Sequence, residues 1–120
     1  MPAMRYYSLA AALAAGLASP ALATGGLVCR TAGTTVVESW LVVSHTAVPT
    51  VVSARLRDSG RDIPVVLAQA WLERGELRVD LVNRNATRHE LRLRARRNGA
   101  AYDGALWRNG QRRWVRCREV

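Results

Sequence analysis

The chain holds two cysteines, Cys29 and Cys117, and they stand near the two ends of the stretch that follows residue 23. A bond between them would tether the first segment able to form a strand to the last and draw an extended sheet round upon itself. An even pair of cysteines in a short exported chain reads as a structural disulfide. For a loop of this length the chain-entropy model assigns about 4.5 kcal/mol of stabilisation.

The N-terminal residues carry the marks of export. Arg5 supplies a positive charge, an apolar Ala/Leu run extends over residues 9–18, and Ala21-Leu22-Ala23 forms a small-x-small cleavage site. The expectation is a signal peptide over residues 1–23, cleaved near Ala23, and a single β domain over 24–120. The apolar run is short for a membrane anchor and no second one follows it, so no membrane span is expected. The compartment implied is the periplasm or the exterior.

All 18 basic residues are arginine, and phenylalanine is absent. With Arg5 removed, 17 arginines oppose 9 acidic residues, a formal charge of 17 − 9 = +8. Such a charge favours an anionic partner, either a cell-envelope polymer or an acidic protein. Export argues against nucleic acid.

Helical periodicity is weak, whereas period-two alternation and β-branched residues recur at strand length. Eight strands are expected near 26–32, 35–45, 50–58, 62–72, 76–83, 89–97, 101–107 and 112–118. Asn109-Gly110 marks a type I′ hairpin that sets Leu106 opposite Arg113 and Tyr102 opposite Cys117. Glu73-Arg74-Gly75 reads as a longer turn with Gly75 in a left-handed bulge, which would place Trp71 opposite Leu77 on the inner face. Between the next two strands, pairing Val79 with Leu93 and Leu81 with Leu91 sets Asp80 opposite Arg92, and a two-residue slip would set Asp80 against Glu90. The fold expected is a small antiparallel eight-stranded meander barrel closed by the disulfide between its terminal strands. An immunoglobulin-like β-sandwich is the alternative.

No catalytic constellation emerges. His45 and His89 lack metal-ligand spacing, no serine lies in a nucleophile elbow, no glycine-rich phosphate loop is present, and Asp58 and Asp62 flank a turn. Neither a metal nor a cofactor is expected, and the chain reads as a non-enzyme. A binding surface is the stronger reading. Alternation sends Arg88, Arg92, Arg94 and Arg96 outward, with Leu91, Leu93 and Ala95 facing the core. On the last hairpin Trp107 and Trp114 share an outer face beside Arg112, Arg116 and Arg118. Indoles interleaved with guanidinium groups stack on sugar rings or hold acidic groups. A ligand carried inside the barrel is a further alternative.

The segment from Asn98 through Gly99 to Tyr102, followed by Trp107, Gly110 and Cys117, resembles the signature region of the bacterial c-type lysozyme inhibitors, small exported barrels with a closing disulfide. The resemblance implies the same fold and an inhibitory loop at Asn98, Gly99 and Tyr102. The family's inhibitory serine corresponds to Asn98, and its Trp-x-Lys-Gly lysine to Asn109.

Overall fold

In the computed structural model, which describes residues 24–44 and 47–120, three two-residue turns set the frame. Ser59-Gly60 (φ 52° and 81°), Arg74-Gly75 (53° and 76°) and Asn109-Gly110 (52° and 74°) each hold two successive positive φ values, the signature of type I′ hairpins whose twist suits paired strands. Around them the described residues form β1 (Thr24–Thr31), β2 (Val37–Ser44), β3 (Thr50–Asp58), β4 (Arg61–Ile63), β5 (Val66–Glu73), β6 (Glu76–Val82), β7 (His89–Asn98), β8 (Ala101–Arg108) and β9 (Gln111–Glu119). All are antiparallel neighbours in one sheet, ordered β4-β3-β2-β1-β9-β8-β7-β6-β5. The sheet curls into a half-barrel. Among the described residues the two packed sheets of a sandwich do not form. The segment expected to be a signal peptide lies outside the described residues.

The count is nine rather than eight because the run expected over 62–72 divides at Pro64. Proline has no N–H to give to a ladder, so the chain leaves β3 after Ile63 and pairs with β6 from Val66 onward. β4 and β5 are therefore the two edges of the sheet although they are consecutive in sequence. β3 packs near β5 without a ladder between them. The disulfide lies elsewhere. Cys29 and Cys117 are directly opposed on β1 and β9, in the middle of the sheet, and are bonded at 2.06 Å. It fastens the two terminal strands to each other, while the seam of the half-barrel falls between β3 and β5.

Register follows charge and turn chemistry. Leu106 faces Arg113 and Tyr102 faces Cys117, and Asp80 faces Arg92 with Val79 on Leu93 and Leu81 on Leu91. The β5–β6 turn departs from expectation. Arg74 itself takes the left-handed conformation, so the loop is one residue shorter and Trp71 faces Arg78 on the outer side rather than Leu77. A bulge between Leu67 and Gln69 absorbs the offset and returns Leu67 to Leu81.

The concave side collects Leu56, Leu77, Val79, Leu81, Leu91, Leu93, Leu106 and Val115, all at most 1% exposed. Each such side chain contributes about 1.5–3 kcal/mol through burial. At one end of the half-barrel this core is covered by charge. The Arg108 guanidinium donates to Asp58 Oδ2 at 2.7 Å and to the Glu90 carbonyl at 3.1 Å. At the opposite end lies an open mouth of about 590 Å³ between the β1 start, the loop at 47–49 and the β5–β6 turn.

Candidate functional site

Cross-strand partners share a face, so the register reads as rows across the convex side. One row runs Gln69–Asp80–Arg92–Trp107–Arg112 from β5 to β9. The next runs Trp71–Arg78–Arg94–Ala105–Trp114. A third crosses all nine strands and is wholly charged: Glu73, Glu76, Arg96, Asp103, Arg116, Arg30, Glu38, Arg57 and Asp62. Within it Arg116 grips Asp103 at 2.6 Å and Arg30 meets Glu38 at 2.9 Å.

All four tryptophans stand on this convex side, with Trp107 37%, Trp71 46%, Trp40 48% and Trp114 61% exposed. Three have their direct cross-strand arginine over the ring: Arg112 over Trp107 at 5.8 Å, Arg78 over Trp71 at 5.9 Å and Arg55 over Trp40 at 6.0 Å. Strand pairing thus builds the same cation–π unit three times. Trp107 has an arginine as partner on each neighbouring strand, Arg92 and Arg112. Trp114 sits diagonally beside Trp107 and directly opposite Ala105, whose small side chain leaves the indole face open.

The expected site residues do not all come together. Arg94, Arg96, Trp107, Arg112 and Trp114 come together around one groove of about 430 Å³ whose floor includes Ala105. Arg92 borders the adjoining depression with Trp107. Arg116 stands in the charged row, bound to Asp103. Arg88 lies apart, in the loop before β7, where it pairs with Glu90 at 3.2 Å. Asn98 donates its side-chain amide to Asp103 at 2.7 Å, Gly99 forms the turn apex at φ 63°, and Tyr102 faces the open mouth beneath Arg97.

Arg94 of the groove and its neighbour Arg92 also hold the fold. Asp80 is 5% exposed and accepts from Arg94 Nη1 at 3.0 Å, Arg94 Nη2 at 3.3 Å and Arg92 Nε at 3.3 Å. Burial pushes its carboxyl up, yet the bonds and charges of Arg94 and Arg92 outweigh that and hold it below the ordinary carboxylate range. Arg112 and Arg118, by contrast, have no carboxylate in ion-pair reach among the described residues. They present charge to solvent.

Trp40 with Arg55, and Trp71 with Arg78, extend the surface beyond the residues that sequence patterns indicate. Alternation does carry a signal for Trp40, because Val37, Leu41 and Val43 fill the inner positions around it. Among the described residues no group of three or more His, Cys, Asp or Glu side chains could hold a metal, and no helix is long and apolar enough to cross a membrane. Compared with models of known families, with curated proteins and with solved structures, the chain matches none.

Proposed function

We propose that this protein is a non-catalytic exported binding domain whose convex face takes an anionic, sugar-containing polymer of the cell envelope. The observation that carries the reading is the placement of every tryptophan outside the core, 37–61% exposed. Indoles are among the side chains with most to gain from burial, and exposed apolar surface of this kind is typical of interaction sites. Arg112 and Arg118 add charge without a carboxylate partner, and Trp107 and Trp114 offer rings on which sugars stack. A buried disulfide in a small β domain supports an oxidising compartment, where such polymers occur.

Affinity capture on acidic envelope polysaccharide, at low and moderate salt, tests the reading. Trp107→Ala, Trp114→Ala and Arg112→Gln should each weaken retention, and Arg112→Gln should also flatten its salt dependence. These positions are preferable to Arg92 and Arg94, whose loss would strand Asp80. Retention unchanged in the triple variant would overturn the proposal, and capture of acidic proteins alone would replace the polymer by a protein partner. A c-type lysozyme turnover assay separates this reading from inhibition through Asn98 to Tyr102.

A further inference from the structure

Seven of the nine carboxylates are in ion pairs, as expected where arginine is in such excess. The two without a pair among the described residues are Glu73 and Glu119, and both line the open mouth of the half-barrel. Glu119 reaches it on the inner face, opposite Leu27, whereas Glu73, the last residue of β5, stands at the rim, where the outer charged row meets the turn. Arg74 and Arg97 border the same mouth. Neither comes within ion-pair distance of the two glutamates. Arg97 instead bonds the Gly99 carbonyl at 3.2 Å and lies over Tyr102.

The floor beneath these charges is apolar. Leu27 and Val43 are 4% and 3% exposed at its base, with Leu72 and Val48 on the walls. The volume, about 590 Å³, lies within the range of small-ligand sites, which combine apolar walls with a few polar groups that fix orientation. The far end of the interior is covered by Arg108, Asp58 and Glu90.

We propose that this mouth binds a zwitterionic amphiphile, with its apolar chain on Leu27, Val43 and Leu72. The cationic group of its head lies toward Glu73 and Glu119, and the anionic group toward Arg74 and Arg97. A purely anionic head would leave both glutamates unmatched and repelled. A purely cationic one would meet the two arginines. This site is separate from the convex tryptophan face and does not depend on its function.

Titration of the purified full chain, as the cell processes it, with lysophosphatidylcholine below its micelle concentration tests the proposal by calorimetry and native mass spectrometry. One-to-one binding is expected, tighter than that of a fatty acid or an alkyl trimethylammonium of equal chain length. Leu72→Trp should weaken it by about tenfold through filling the mouth. Glu73→Gln with Glu119→Gln, both at exposed positions that leave the core intact, should weaken it about fivefold and shift preference toward the fatty acid. Trp114→Ala should leave it unchanged. Absence of saturable binding, tighter binding of the fatty acid by the unaltered protein, or loss on Trp114→Ala with retention in the double glutamine variant would each overturn the assignment.

Discussion

Arg108 and Asp58 meet at 2.7 Å although 50 residues separate them and their strands are not neighbours in the sheet. The contact spans the end of the half-barrel and joins the β3 edge region to β8. Arg108 and Glu90 side chains are each 9% exposed, so removing the guanidinium leaves a nearly buried carboxylate short of a partner. Arg108→Met should cost about 3 kcal/mol, the scale of breaking a buried pair. Arg96→Gln makes the comparison, because its bond to Glu76 is 3.7 Å long and its side chain 83% exposed; it should stay within about 0.5 kcal/mol. Urea unfolding of the two variants checks the order, and equal costs would show that the end cap does not hold the edges together.

The same cap gives a pH dependence. The bond from Arg108 holds the Asp58 carboxyl below its ordinary range, against the opposing effect of burial and with help from Ser59 and the charges of Arg108 and Arg113. Asp80 is lowered as well. On acidification the unfolded chain therefore takes up protons at these carboxylates first, near pH 3.9, and the native state takes them up later. Their stabilisation is complete above the unfolded value and disappears as pH falls through the folded one. The urea midpoint should be flat from about pH 7 to 5 and decline below about pH 4, with a shallower decline in Asp80→Asn. A midpoint that rises on acidification would contradict this account.

Much of this architecture is legible in the sequence wherever a local signal is strong. Asn109-Gly110 suffices for the last hairpin, and the cost of setting Asp80 against Glu90 suffices for the β6–β7 register. Pro64 was readable as a ladder break but is masked by the apolar run around it. Arg74 shows the limit of turn rules, since a two-residue turn imposes positive φ on an arginine when the flanking strands demand it. Two charged contacts escape sequence reasoning for different reasons. Arg94 reaches Asp80 on the diagonal, more closely than the directly opposed Arg92. Arg108 looks like a solvent-facing strand end until a partner 50 residues away closes over it. The tryptophan face follows from alternation at Trp107 and Trp114 but is missed at Trp71, where one residue in the turn reverses the side.

Burial of the disulfide sets its chemistry. Cys29 and Cys117 are 0% exposed, flanked by inner-face neighbours on β2 and β8, so a reductant reaches them only when β1 and β9 separate. Thiol release at neutral pH should be negligible in buffer and should follow global unfolding in urea. Once reduced, the protein should lose about 4.5 kcal/mol, the loop-closure entropy returned to the unfolded chain. Trapping of free thiols by mass spectrometry across a urea series measures both. Rapid reduction of the fully folded protein would mean that β1 and β9 part locally.

Gly104 is required by a close approach of backbone to backbone. A Cβ built there would lie 2.0 Å from the Arg94 carbonyl oxygen and 2.6 Å from the Ala95 Cα. Neither can rotate aside, so β7 itself would have to move, and with it Leu93 in the core and the hold of Arg94 on Asp80. Gly99 offers the contrast, for its φ of 63° disfavours a side chain but nothing stands within 4 Å. Gly104→Ala should therefore cost about 3 kcal/mol, the upper part of the range for overpacking, and Gly99→Ala about 1 kcal/mol from the left-handed backbone alone. Thermal denaturation ranks them. Because Gly104 and Ala105 floor the groove between Arg94 and Trp114, Gly104→Ala should also weaken polymer retention while the protein is still folded, which Gly99→Ala should not.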